Sequence, residues 1–574
     1  MNRLLLALSI SVRFKRNLVL HTTGKQLNWL GLTLGCCGWL LPTTGITNPV
    51  LAAERIYASY AALERSISVA ALEVYAKEGK LVDHLGLYTK YLNPQQLAQL
   101  RRVLLARADL SLVATSQFFY TSIGETLLER LGQVIQTESR QSGFYALRSA
   151  LILAAADPEG LTLLNVLRKF PTSSIRVDLA RSLQIVEELQ GLLNQTNQAI
   201  ALVKQQSTTE TTQAPVNLSQ QPDLRLSRGK FTWNKRTLTL NDRRRDRRFL
   251  ADIYLPKTKT EVPVIVISHG LGSDRNTFEY LAQHLASYGF AVAVPEHPRS
   301  SAEQGQSLLA GRSYKVEQPS EFINHPLDVT YLLDQLQRLD SSDPSYQFNL
   351  QQVGVIGQSF GGYTALALAG AAVNFDQLQK DCKNLNDSWN VSLLLQCQVL
   401  QLPRTQYNLY DPRVKAVIAI NPLTSSVFGE ASLSKIQVPV MIVSSGGDIV
   451  APALPEQILP FTWLTTPKKY LAVIEGGTHF STIGVTDLTR DPFILPPQVI
   501  SSNPAIARHY INALSVAFCQ TYVTKLHQYR PYLSAAYAQT ISQPPLTLNL
   551  IQSLSANQLT QSIQRSTQEI RSKE

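Results

Sequence analysis

From residue 262 onward the chain carries a series of short, nearly unbroken apolar runs. They are Val262-Pro-Val-Ile-Val-Ile267, Ala291-Val-Ala-Val294, Val353-Gly-Val-Ile356, Val414-Lys-Ala-Val-Ile-Ala-Ile420, Val438-Pro-Val-Met-Ile-Val443 and Tyr470-Leu-Ala-Val-Ile474. A strand with one wet face alternates apolar and polar residues, whereas a run apolar at nearly every position is covered on both faces. Helical spacing fills the intervals near 276–288, 322–339, 360–373 and 452–460, with a further helical pattern at 503–527. Strand and helix in alternation predict an α/β domain: a mostly parallel sheet, doubly wound, with helices on both sides. Phe231-Thr-Trp233, Arg236 to Leu240 and Phe249 to Leu255 read as an antiparallel lead-in to it. In such sheets chemistry collects at the carboxyl ends of the strands.

The 574 residues exceed what one core holds, so more than one domain is expected. Residues 54–204 are rich in Ala, Leu, Glu, Gln and Arg with three- and four-residue apolar spacing, as in Ala62 to Val69, Gln96 to Leu105, Glu125 to Leu131, Tyr145 to Ile152 and Ile185 to Leu193. They predict a separate all-α domain. The polar stretch from Gln205, without apolar periodicity, reads as a linker over 205–228, followed by the α/β domain over 229–535 and a partly helical tail over 536–574.

Residues 1–53 hold Arg3, Arg13, Lys15, Arg16 and Lys25 and no acid, then the apolar stretch Trp29 to Leu41, then small residues ending in Ala52-Ala53. That order is a secretory signal, and the alternative is an N-terminal membrane anchor. Its removal leaves 48 basic residues against 42 acidic, a balance too mild to imply a nucleic-acid partner. Of the cysteines beyond residue 53, Cys382 and Cys397 lie in one irregular segment and are expected to pair, while Cys519 sits in a helical apolar pattern and is expected buried and free. The run Asp242-Arg-Arg-Arg-Asp-Arg-Arg248 reads as a solvated hairpin turn, with peripheral membrane contact through anionic lipid as the alternative. No metal-ligand spacing appears, and no cofactor is implied.

Gly357-Gln-Ser-Phe-Gly-Gly-Tyr363 sits directly behind one apolar run and in front of the helical pattern Thr364 to Gly370. A G-x-S-x-G turn between strand and helix holds its serine in a strained backbone conformation, and glycines at 357 and 361 remove side chains that would collide there. Ser359 is therefore the candidate nucleophile. A serine hydroxyl needs a base, and the base an orienting acid. The expected chain order is nucleophile, acid, base. His479, in Glu475-Gly-Gly-Thr-His-Phe480 just past a strand, is the candidate base; Asp448, in Ser445-Gly-Gly-Asp448 just past another, is the candidate acid. The oxyanion donors are expected to be the backbone amides of Leu271, in Ser268-His-Gly-Leu-Gly-Ser273, and of Phe360. His269 reads as a structural loop histidine.

At these residues the chain resembles the α/β-hydrolase superfamily. Ile265 to Gly272, Leu285 to His297 and Gly357 to Gly362 are similar to the secreted platelet-activating-factor acetylhydrolases and to the polyester-hydrolase and dienelactone-hydrolase-like group. Glu54-Arg-Ile-Tyr and Gly160 to Arg168 resemble a helical domain of unknown function found before such hydrolases in cyanobacterial-type proteins. The resemblance implies an exported serine hydrolase cleaving carboxylic esters, lipid or phospholipid acyl esters among them, through an acyl-enzyme. The alternatives are a binding or scaffold protein acting through the helical domain, or a serine peptidase on the same triad. Residues 374–410 are long for a connection and read either as a lid or acyl-binding cap or as local core.

Overall fold

The computed structural model describes residues 52–574 apart from 61–62, 84, 89–92, 109, 215–221, 302–318, 485–502 and 572–574. The expected signal segment, save its last two residues, lies outside the described residues. Two compact units divide between Gln190 and Gly191.

The first unit is not all-α. Strands β1 (Arg55–Tyr60), β2 (Leu63–Ser68), β4 (Ile135–Gln136) and β6 (Ser174–Asp178) form a mixed sheet in the order β2-β1-β6-β4, and β3 (Arg107–Ala108) pairs with β5 (Leu161–Thr162). The segment 62–69, expected to be helical, is mostly β2, and the reason lies in its spacing. Leu63 and Ile67 are four residues apart, which suits one face of a helix and one face of a strand equally. In the strand, Leu63, Arg65 and Ile67 share one face and Glu64, Ser66 and Ser68 the other. The other expected helices do form, among them Pro94–Leu105, opened by a reciprocal capping box between Asn93 and Gln96, and Phe144–Ala156.

The second unit holds a nine-stranded sheet. Its strands are β7 (Trp233–Asp242), β8 (Arg247–Pro256), β9 (Val262–Ser268), β10 (Ala291–Pro295), β11 (Phe348–Gln358), β12 (Val414–Ile420), β13 (Val440–Ser445), β14 (Lys469–Ile474) and β15 (Leu548–Ile551), in the order β15-β14-β13-β12-β11-β9-β10-β8-β7. From β10 to β14 neighbouring strands are parallel; the hairpin β7–β8, the pair β8–β10 and the edge pair β14–β15 are antiparallel. The two covered faces are visible residue by residue. Along β9, Val264 and Val266 enter a core shared with helices Glu321–Ser342 and Phe360–Leu368, while Ile265 and Ile267 enter a second core with Glu279–Ser287 and Pro504–Tyr522.

Both expected boundaries of this unit shift outward. The helix Leu179–Gln213 runs through the first nine residues of the expected linker, because Glu210 accepts hydrogen bonds from the Gln552 and Ser553 amides and Ala199 and Val203 enter the core. Further on, Leu224 is fully buried. The expected tail supplies β15 and the core residues Leu554 and Leu559. The Asp242–Arg248 run is a hairpin turn, as expected, but its cations are not all solvated. Arg245 pairs with Asp242 and Asp328, and buried Arg247 grips Glu321 and Asp328.

Two buried polar networks brace the sheet. Asp328 takes Arg247 from one side and His297 Nδ1 from the other at 3.2 Å. His297 Nε2 accepts from Ser268 Oγ at 2.9 Å and its ring stacks on His325 at 3.8 Å. Burial lowers the His297 pKa to about 4 and holds that of His325 well below its ordinary value, so both rings are neutral. Burial pushes the Asp328 carboxyl up, but the His297 hydrogen bond and the Arg247 charge outweigh it and hold the group ionised. In the second network the buried Glu456 carboxylate accepts from the side chains of Asn390, Ser392, Gln396 and Ser425 and from the Thr424 and Ser425 amides.

Glu456→Ala leaves these donors dry, at about 1–3 kcal/mol for each group that water does not reach. The variant is expected to lose about 3 kcal/mol or more in urea unfolding; a loss under about 1 kcal/mol would mean that solvent replaces the carboxylate. His284 allows a second test. Burial lowers its pKa from 6.5 to about 4 while Nε2–H donates to the Leu224 carbonyl. Between those values the unfolded chain holds the proton and the folded one does not, so this group's contribution falls as pH drops through that window. His284→Gln, which keeps the donor, should remove up to about 1.4 kcal/mol per pH unit from the slope of stability against pH there. An unchanged slope in denaturant titrations at several pH values would refute this.

Candidate active site

Strand β11 ends at Gln358 and the helix Phe360–Leu368 starts at once, leaving Ser359 alone to make the turn. Its φ of 56° and ψ of −117° are costly for a residue with a side chain. Two close approaches enforce the turn. A Cβ on Gly357 would lie 1.9 Å from the Gly361 carbonyl oxygen, and one on Gly361 would lie 2.0 Å from that of Ser268. The Ser359 N–H is held by the Ile420 carbonyl of the neighbouring strand.

The candidate acid and base arrive from the next strands along. Asp448 follows β13, where its Oδ1 accepts from the Val450 and Ala451 amides at 2.8 Å. Oδ2 is thereby aimed at His479 Nδ1, 2.6 Å away. His479 follows β14 in a loop bent at Gly476, φ 73°, and its Nε2 stands 2.9 Å from Ser359 Oγ. With Nδ1–H donating to the carboxylate, Nε2 offers its lone pair to the serine hydroxyl. All three side chains are nearly buried, with Ser359 the most open at 9% exposure. The structure brings together the three residues expected from chain order.

The loop after β9 packs against the serine. A Cβ on Gly270 would lie 3.1 Å from Ser359 Cβ and from the Gln358 carbonyl oxygen and 2.7 Å from Gln358 Oε1, so a side chain here would crowd the serine. Beyond it the Gly272 N–H donates to Ser300 O and the Ser273 N–H to Gly270 O. Among the described residues neither the Leu271 nor the Phe360 amide donates a backbone hydrogen bond. The Phe360 amide, at the first position of its helix, has no intrahelical acceptor and lies at the positive end of the helix dipole.

Two side chains unnoticed in the sequence fix the base loop. Gln358 Nε2 donates to the His479 carbonyl at 3.1 Å, and Asn421 Nδ2 donates to the same carbonyl at 3.3 Å. Asn421, at φ 45°, also exchanges hydrogen bonds with Ser445. A polar residue at the carboxyl end of a buried strand, the last of β11 for Gln358 and the first past β12 for Asn421, was the available signal.

Cys382 and Cys397 are joined in a disulfide, and Cys519 is buried and free, its thiol pushed well above its ordinary value by burial. The segment 374–410 is part of the fold. Leu378, Leu393 and Val399 are buried, Gln396 Oε1 accepts from the Ser426 and Val427 amides, and Glu456 holds Asn390, Ser392 and Gln396.

Comparison with known proteins adds kinship to this geometry. A family model described as an alpha/beta hydrolase of unknown function matches residues 52–178, which lie wholly in the first unit. The model of platelet-activating factor acetylhydrolase, isoform II, matches residues 252–325, from β8 through the His269 loop and β10. The chain is 24% identical to a platelet-activating factor acetylhydrolase of Cavia porcellus over 301 residues, covering 46% of this chain and 59% of the relative. It is 27% identical to the same-named protein of Canis lupus familiaris over 172 residues, 24% of this chain and 37% of the relative. A hydrolyase, poxO, of Penicillium oxalicum is 32% identical over 133 residues, 22% of this chain and 29% of the relative. The chain thus spans about three fifths or less of the length of these relatives. By these matches it is related to the α/β-hydrolase superfamily.

Proposed function

We propose that this chain is a serine hydrolase that cleaves carboxylic esters through an acyl-enzyme, with lipid or phospholipid acyl esters as the substrate class. One observation carries the reading: an unbroken hydrogen-bonded chain from Ser359 Oγ through the His479 ring to Asp448, mounted on a strained strand-to-helix turn. In the acylation step His479 Nε2 takes the Ser359 proton as Oγ attacks the ester carbonyl carbon. The negative charge moves to the carbonyl oxygen, where the Leu271 and Phe360 amides receive it. His479 then gives its proton to the departing alkoxide, and the alcohol leaves. Water, deprotonated by the same imidazole, attacks the acyl-enzyme, and the proton returns to Ser359 as the acid is released. Asp448 keeps His479 in the tautomer with Nδ1 protonated and stabilises the imidazolium.

The names of the acetylhydrolase relatives favour an ester over an amide bond and a lipid over a water-soluble substrate. We also propose that the chain acts outside the cytoplasm. The Cys382–Cys397 disulfide suits an oxidising compartment, and the basic and apolar leader suits export.

The test is a fluorophosphonate label on the purified protein, beside Ser359→Ala, with p-nitrophenyl esters from acetate to palmitate as substrates. Wild type should label once and hydrolyse esters, and Ser359→Ala should do neither. Asp448→Asn should keep the fold and lose kcat by about 10⁴-fold, as expected where the base is left in the wrong tautomer. A wild type that neither labels nor hydrolyses any ester would sink the proposal. Equal labelling of Ser359→Ala would put the nucleophile elsewhere, and cleavage confined to peptides would replace the esterase with a peptidase.

A further inference from the structure

Resting on the reading above, we propose that His269 is a positioning residue for the oxyanion hole, holding the Gly270–Leu271 peptide plane so that the Leu271 amide faces the reacting carbonyl.

The argument starts from a single peptide unit. The carbonyl of Gly270 and the N–H of Leu271 belong to the same planar trans peptide, so they point in opposite directions and cannot turn separately. His269 Nδ1 lies 2.8 Å from Gly270 O, and both atoms are buried. Which nitrogen carries the proton follows from the other end of the ring. His269 Nε2 accepts the backbone N–H of His297 at 3.0 Å, so Nε2 holds the lone pair and Nδ1 the hydrogen. His269 therefore donates to the Gly270 carbonyl at 2.8 Å, closer than the Ser273 N–H that shares it at 3.3 Å, and fixes one end of the plane whose other end is the Leu271 amide.

The next peptide unit is held as well, since the Gly272 N–H donates to Ser300 O. Leu271 is thus gripped on both sides by groups on a single scaffold. That scaffold is the buried histidine network: His297 is fixed by Asp328 and Ser268, and Ser300 Oγ shares a 2.6 Å hydrogen bond with His325 Nε2. The network also reaches the second donor. The His325 ring meets the Phe360 ring edge-on at 4.7 Å, and the Ser268 and His269 carbonyls abut Gly361, one residue beyond the Phe360 amide. Ser268–His297–Asp328 repeats the atom types of the site itself, yet all three side chains are fully buried. The fold uses this second relay to hold backbone in place.

A purely structural histidine and a positioning one differ in what their loss does to kinetics. A donor that acts only on the transition state changes kcat and leaves ground-state binding alone. His269→Leu, folded by circular dichroism and still binding the product acid, should lose kcat on p-nitrophenyl acetate by about 10²-fold with KM within about threefold, the scale of a lost oxyanion donor. Affinity for a trifluoromethyl ketone, whose tetrahedral adduct carries the oxyanion, should fall by the same factor. His269→Asn, which keeps an N–H where Nδ1 was, should recover at least a tenth of wild-type kcat. Should His269→Leu fail to fold, His269→Ser, too short to reach Gly270, takes its place in the same comparison.

A folded donorless variant with kcat within threefold of wild type overturns the proposal, as does a loss confined to KM. Equal kcat in His269→Asn and the donorless variant also overturns it. If the wild type itself neither hydrolyses esters nor labels, the esterase reading and this one fall together; an active wild type with an indifferent His269 removes this one alone.

Discussion

Everything at the site hangs on the contact between the helix that follows Ser359 and the end of β9, where Gly361 approaches the Ser268 carbonyl more closely than any side chain would allow. The contact sets the distance between two amides that come from different parts of the chain, one after β9 and one after β11. It also forces Ser359 into its left-handed backbone conformation, because β11 must turn into the helix within one residue. The strain is local, but its restraints come from three strands: β9 through Ser268, β12 through Ile420, and β14 through the imidazole of His479. The sheet supplies what the turn needs, which is rigid backbone on both sides.

Buried polar groups do this bracing where apolar packing could not. Apolar contacts are non-directional and would let a loop slide by fractions of an ångström. Asp328, Glu456 and Asn421 instead impose directions, each tying loops from different strands to one side chain. Asp448 follows the same pattern, with two amides occupying one oxygen so that the other faces the imidazole.

The sheet was legible because its strands are apolar on both faces, a pattern few other structures produce. The Ser359, Asp448 and His479 positions were legible because each follows such a strand within a few residues. The first unit was misread because Leu63 and Ile67 satisfy two periods at once, and only pairing with Arg55–Tyr60 decides between them. The polar stretch from Gln205 gave no local sign of order; its partners, Gln552 and Ser553, lie more than 300 residues away. For the same reason the roles of His269, His297 and Asp328 were hidden. Each is an ordinary loop or helix residue until the fold sets three separate segments side by side.

The last strand has a consequence for how the molecule is made. Strand β14, which leads into His479, is an internal strand only because β15 covers it, and Glu475 donates its N–H to Thr547 just before that strand begins. Until residues 548–551 have paired, residues 469–474 are therefore a bare apolar sheet edge. In that interval the segment can pair with any other unpaired strand, and the loop bearing His479 has no fixed floor. Residues 548–551 thus serve as a seal on the sheet, and the loop bearing the base gains its floor only when they are in place.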